Sequence, residues 1–270
     1  IYMEQLLRRY SFCGETLYAL PSTPSVQLLF YRTDLFESTV LKRMYKEQCR
    51  RELKPPSSFE EFNQIARFFT RSFNPDSPVP YGTTLTMGGA GVACSEFLAR
   101  FYSQQRTLFD EKQQLSLTTP EAEKALCQLL EAKPYTDPAG SNWWQKTAAH
   151  FASGETAMAI LYSNYASDML SHSSKIAGNI GCSLIPGKNP VVGGGSLAIS
   201  KFSRQKESAL AFIQWMCSEP VSSAATLLGG ASACRQTYEN YELIDTFPWL
   251  GLVQKAFSLA DNTVLPQNGN

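Results

Sequence analysis

Leu17-Tyr18-Ala19-Leu20-Pro21-Ser22-Thr23-Pro24-Ser25-Val26-Gln27-Leu28-Leu29-Phe30-Tyr31-Arg32-Thr33-Asp34-Leu35-Phe36 changes character halfway along. Its first part is small, polar and punctuated by Pro21 and Pro24, which reads as an extended crossing between two bodies of structure. Its second part, Val26–Tyr31, is a short apolar and aromatic run bounded by turn residues, so it predicts a buried strand. Downstream, Ser58 and Glu61 have capping-box spacing, and Phe59, Phe62, Ile65, Ala66 and Phe69 recur on one face of a helix reaching about Ser72. Val79-Pro80-Tyr81-Gly82 opens another extended piece, and Gly88-Gly89-Ala90-Gly91 precedes a helix over 93–102. Thr119-Pro120-Glu121 starts a further helix, with Ala122, Ala125, Leu126, Leu129 and Leu130 as its buried stripe. Trp143-Trp144 precede a helix ending near Gly154, then Ala157–Leu161, Ile180–Ile185 and Gly195–Ser200 read as strands. A last helix from Ser203 to about Ser218 turns Ala209, Leu210, Phe212, Ile213 and Met216 inward. Strands alternating with amphipathic helices predict an α/β fold around a mostly parallel sheet.

The 270 residues suffice for one large domain or two ordinary ones, at about 100–200 residues each. The 24 Lys and Arg balance the 24 Asp and Glu, which removes the electrostatic case for nucleic acid or an anionic membrane surface as the main partner. No apolar run approaches the roughly 18 residues that a spanning helix needs. The opening Ile1-Tyr2-Met3-Glu4 has neither an initiator Met nor the basic and apolar regions of a signal peptide, so the chain reads as a piece of a longer protein. Its seven cysteines, at 13, 49, 94, 127, 182, 217 and 234, are scattered and contain no C-x-x-C, which suits reduced thiols and leans toward a reducing compartment.

Catalytic and cofactor signatures are missing. His150 and His172 have no second ligand at metal spacing and read as ordinary polar residues. There is no G-x-S-x-G, no P-loop and no H-E-x-x-H, so no cofactor, no metal and no enzyme activity is expected. Gly88-Gly89-Ala90-Gly91 lacks the Lys or the acid of a nucleotide site and reads as a flexible turn. Gly193-Gly194-Gly195 precedes a strand, which suits a hinge or a close approach of backbone to ligand. Aromatic residues make up 12% of the chain, and Tyr18, Tyr81, Tyr162, Tyr165 and Trp249 lie beside small polar residues. Rings that cover C–H faces, with hydroxyls and amides that bond O–H edges, are what a neutral sugar-like ligand requires.

Five segments, in order, resemble family 1 of the extracellular solute-binding proteins, the sugar receptors of ABC importers that include maltose-binding protein. They are the Leu17–Phe36 crossing, the helix start Pro55–Phe62, the stretch Phe151-Ala152-Ser153-Gly154-Glu155-Thr156-Ala157-Met158-Ala159-Ile160, the return Ile185–Gly187 with Gly193–Lys201, and Ala211–Trp215. The resemblance implies a periplasmic-binding-protein-like (type II) fold: two α/β lobes joined by a hinge, here one lobe plus part of the other. Residues 1–25 and 197–230 would belong to the first lobe with its crossing segment. Residues 26–192 would form the second lobe, 193–196 the second crossing, and 231–270 a truncated return. Implied cleft residues are Ser22, Thr23, Ser25, Thr86, Met87, Gly88, Tyr162, Ser163, Asn164, Tyr165, Gly194 and Gly195, with Arg235 after Gly229-Gly230. The family often carries Trp after the A-M strand, so Tyr165 or Tyr162 takes over any stacking there.

By the same resemblance the protein is a monomeric, non-catalytic receptor that captures a sugar or oligosaccharide for an ABC transporter permease, held outside the cytoplasm as a lipoprotein. The family's usual first-lobe segment and last helices have no counterpart in this chain, and exported members are cysteine-poor. Both departures also fit the effector domain of a cytoplasmic helix-turn-helix transcriptional regulator, in which this segment itself would not touch nucleic acid. A glycoside-acting enzyme is the outside alternative.

Overall fold

A computed structural model describes residues 2–104, 107–110, 112, 114–139, 143–227, 231–247 and 249–260. The strands are β1 (Phe12–Cys13), β2 (Thr16–Leu17), β3 (Ala19–Pro21), β4 (Ser25–Arg32), β5 (Tyr81–Thr84), β6 (Thr156–Tyr162), β7 (Ile180–Leu184), β8 (Val192–Gly193) and β9 (Ser196–Ala198). The helices are α1 (Glu4–Ser11), α2 (Thr33–Phe36), α3 (Thr39–Cys49), α4 (Phe59–Phe68), α5 (Ala90–Tyr102), α6 (Pro120–Ala132), α7 (Trp144–Ala152), α8 (Ala166–Leu170), α9 (Lys206–Met216), α10 (Glu219–Leu227), α11 (Tyr241–Thr246) and α12 (Trp249–Leu259). None is long and apolar enough to cross a membrane.

β4 lies in the middle of the main sheet, ordered β5-β6-β4-β7 with β8 added alongside the start of β4. Its side chains alternate with the pleat. Val26, Leu28 and Phe30 enter one core with α1, α7, α8 and α12, while Leu29 enters a second core with α3 and α4. β6 divides the same way, with Ala159 and Leu161 on the first face and Met158 and Ile160 on the second. Both faces are covered, so these strands read as continuous apolar runs rather than alternating ones.

α4 shows how local signals feed the second core. The Ser58 hydroxyl accepts from Glu61 N at 3.2 Å, while the Glu61 carboxylate turns back one residue further, to Ser57 N at 2.8 Å. The helix then buries Phe59, Phe62, Ile65 and Ala66, each large apolar side chain contributing about 1.5–3 kcal/mol. At Gly82 in β5 an added Cβ would sit 1.8 Å from Ala66 O, so glycine lets this strand lie directly on α4.

Three expectations need correction. The sheet is not mostly parallel: β5–β6 is parallel, but β4 pairs antiparallel with β6, β7 and β8, because those strands return toward the crossing where β4 began. The helix after residue 203 buries Ile213, whereas Leu210 and Phe212 are exposed and Trp215 is 57% exposed. On α6, Ala122, Ala125 and Leu129 are buried but Leu126 and Leu130 face outward. An apolar helix face shows a preference for leaving water, not that something covers it.

Candidate functional site

The segments read as crossings lie side by side. β3 pairs with β9, Pro21 opposite Ser196, and four residues on, Ser25 pairs with Gly193. Between these ladders Ser22 N and Thr23 N donate to Gly195 O at 3.0 and 3.3 Å, and Gly195 N returns to Thr23 O at 3.3 Å. The result is a two-stranded ribbon with a bend at Gly194, whose φ of +118° is open to glycine. An added Cβ there would sit 2.2 Å from Thr23 O and 2.7 Å from Pro24 Cα. Tyr10 on α1 fastens the bend from outside, donating its hydroxyl to Gly193 O, while Ser196 Oγ donates to Tyr10 O at 2.7 Å.

The ribbon meets the main sheet where β4 begins and β5, β6 and β7 end. The residues that follow β5 and β6 therefore gather there. Met87 and Gly88 are exposed on the loop leading into α5, whose first turn has no side-chain cap and leaves the amides of Ala90 and Gly91 open to a ligand oxygen. Asn164 is exposed after β6, and Tyr165 is half-buried against the first core. Burial raises the Tyr165 phenol above its ordinary value.

Other expected residues serve the framework. Thr86 is fully buried, its N–H on Glu96 Oε1 at 3.0 Å and its hydroxyl 2.9 Å from Thr147 Oγ1. Ser163 is buried and accepts from Val26 N at 3.3 Å. The buried Tyr162 ring lies edge-on to Trp144, with centroids 5.5 Å apart, and against Gly193, one residue before the bend. Burial first, then the nearby Glu96 charge, raises the Tyr162 phenol, so it stays neutral and able to donate. Arg235 is exposed on a short turn, Arg235–Tyr238, that packs against α10, α11 and α12. It is not joined to the other candidates by a hydrogen bond among the described residues, and Gly229-Gly230 lie outside them.

The structure adds residues that sequence reading passed over. Trp143 is half exposed, its ring 4.8 Å from that of Trp144, and Trp144 Nε1 donates to Ser95 Oγ at 3.4 Å. Gln27, buried in β4, spans the seam: Nε2 donates to Ser95 O and Oε1 accepts from Val191 N, both at 3.4 Å. Below them Glu96 and Arg100 form a buried ion pair, Arg100 Nη1 to Glu96 Oε2 at 3.1 Å. A polar residue inside the Val26–Tyr31 run and a Trp-Trp pair ahead of a helix were the available signals. The site is thus an open, uncharged rim of indole, phenol, amide and hydroxyl groups over a buried charged pair. Such a surface stacks C–H faces and bonds hydroxyls. No group of three or more His, Cys, Asp or Glu able to hold a metal ion occurs among the described residues.

Comparison with known proteins gives four concordant results. The profile of a family described as bacterial extracellular solute-binding protein matches residues 2–238. The mannitol-binding protein of Pseudomonas aeruginosa is 30% identical over 220 residues, covering 76% of this chain and 46% of its own length. An ABC transporter solute-binding protein from Agrobacterium radiobacter K84, solved with ribitol, superposes with a TM-score of 0.82 at 22% identity over 95% of this chain and 63% of that one. Maltose-bound MalE3 of T. maritima gives 0.82 at 19% identity over 98% and 66%. The chain therefore has the expected periplasmic-binding-protein-like fold and spans about two thirds of these solved structures and about half of the Pseudomonas protein.

Proposed function

Because the chain belongs to the bacterial extracellular solute-binding protein family, we propose that it is the ligand-capturing part of a receptor that delivers a sugar or sugar alcohol to an ABC importer. The observation that carries this reading is the convergence of both crossings, the loop after β5 and the turn after β6 at one end of the sheet, beside half-exposed Trp143. Ligand contacts fall to Thr23, Met87, Gly88, Asn164, Tyr165 and Trp143, with the first-turn amides of α5. Thr86, Tyr162 and Ser163 hold these in place. The relatives favour a neutral polyhydroxylated ligand, since mannitol, ribitol and maltose are named with them.

In this reading residues 26–192 are one lobe, 1–25 and 197–230 part of the other, and 193–196 the second crossing. The contacts of α12 with β4 and β7 support a return of the 231–270 segment to the sheet, residues 261–270 lying outside the described part. The receptor works outside the cytoplasm as a monomer, with a lipid anchor on the whole protein and a permease as its partner.

Thermal unfolding with D-mannitol, ribitol and maltose tests the proposal. Ligand at 100 times its Kd stabilises by about 2.7 kcal/mol, and at about 2–4 °C per kcal/mol at least one of the three raises Tm by about 5 °C or more. A flat response to all three, with none detected by calorimetry at millimolar ligand, refutes it.

A further inference from the structure

Glu96 and Arg100 are the feature of the site least explained by ligand contact. Both are fully buried, one helical turn apart on α5. Arg100 Nη1 donates to Glu96 O at 2.8 Å as well as to the carboxylate, its guanidinium lies 4.7 Å from the centre of the Phe59 ring, and its Nε and Nη2 have no hydrogen-bond partner among the described residues. An ion pair so placed gives no more stability than apolar side chains of the same volume. What an apolar pair does not offer is an acceptor, and Glu96 uses its second oxygen, Oε1, to take the N–H of Thr86.

That bond continues toward the rim. Thr147 Oγ1 donates to Trp143 O at 3.2 Å, which leaves the same oxygen to accept from the Thr86 hydroxyl at 2.9 Å. A single chain of bonds thus runs from the Glu96 carboxylate through the peptide and hydroxyl of Thr86 to Thr147 and the Trp143 carbonyl. It ties the loop before α5 to the cap of α7, the two pieces that present Met87, Gly88 and the Trp143 indole. Resting on the polyol-receptor reading above, we propose that Glu96, neutralised by Arg100, is the positioning residue of the ligand rim, holding loop 86–89 and Trp143 in register from beneath.

The test compares two double variants, each lacking both buried charges, in a chain whose remaining tryptophans are replaced (Trp215→Phe, Trp249→Phe). Glu96→Gln with Arg100→Met keeps an oxygen for the Thr86 N–H, and Glu96→Leu with Arg100→Met does not. The Gln/Met protein is expected to bind D-mannitol within about threefold of its parent, and the Leu/Met protein at least about tenfold more weakly. Acrylamide, added well below both unliganded melting points, should quench tryptophan emission more strongly in the Leu/Met protein, which also melts several degrees lower because its buried Thr86 N–H has lost its acceptor. Equal affinity and equal quenching in the two proteins overturn the proposal.

Thr147→Val supplies a second arm that leaves the ion pair untouched and cuts the chain one link further on. It should raise quenching and weaken mannitol binding, and unchanged values count against the proposal as fully as equality of the double variants. If the parent itself does not bind mannitol, the receptor reading is at fault, and the quenching comparison still decides whether Glu96 positions the rim.

Discussion

Replacing Gly194 by alanine attacks the bend where the two crossings touch. The new Cβ meets backbone on three sides, 2.2 Å from Thr23 O, 2.7 Å from Pro24 Cα and 3.0 Å from Ser25 N, so no rotamer change relieves it. Holding alanine at φ +118° costs about 1–3 kcal/mol. Parting the strands to make room also forfeits the bonds between Gly195 and residues Ser22 and Thr23, at about 1 kcal/mol net each. Together these come to about 4–6 kcal/mol, or a fall in Tm of about 8–24 °C at about 2–4 °C per kcal/mol. Gly14→Ala is the matched control. It has a φ of +58° with nothing within 4 Å of the added Cβ, so it carries only a conformational cost of about 1–2 kcal/mol, or about 2–8 °C. Melting followed by far-ultraviolet circular dichroism reads both. If Gly194→Ala melts no lower than Gly14→Ala, the ribbon is not packed as described and the crowding argument fails.

Trp143→Ala should weaken D-mannitol binding by about tenfold while moving the unliganded Tm by less than about 3 °C, since the indole is 51% exposed. Calorimetry and melting together check it, and a large fall in Tm without loss of affinity would put that ring in the core. In the native protein a disulfide reagent at pH 8 should react quickly with Cys13, Cys94 and Cys127, which are exposed, and slowly with buried Cys217 and Cys234. Cys182 joins the slow group because burial pushes its thiol up to about 11. Rapid labelling of Cys217, mapped by mass spectrometry, would contradict its burial, with Sγ 3.8 Å from Pro21 O.

Much of the fold was legible because its signals are local. The apolar run of β4, the Ser58 and Thr119 caps and the strand Thr156–Tyr162 all depend on residues within a turn or a pleat of one another. Strand direction was not legible, since a strand's period is the same whichever way it runs, and the mostly parallel reading failed there. The site was half legible. Residues 22–25 read as a crossing and Gly193–Gly195 as a hinge or a close approach of backbone to ligand, and the structure sets these two segments side by side. Thr86 and Ser163 carry the hydroxyls a ligand site needs, yet their hydroxyls meet Thr147 and the Val26 N–H inside the protein. Glu96 and Arg100 were missed for the opposite reason: a Glu and an Arg four apart on a helix look like a solvated surface pair, and only tertiary packing, which sets Phe59 against the guanidinium, removes them from water.

The ribbon also sets where stiffness changes along the chain. From Gln27 to Tyr31 every residue of β4 faces a partner in β6, and from Leu28 onward also in β7, so this stretch exchanges its amide hydrogens only when the sheet comes apart. Two residues upstream, at Ser25, the ladder has narrowed to β8 alone, and at Thr23 it rests on single bonds to Gly195. A sheet paired on both sides thus gives way to a two-stranded ribbon within a few peptide units. Amide exchange should therefore rise steeply between Leu28 and Thr23, and equal protection at the two would show the ribbon to be held as firmly as the sheet.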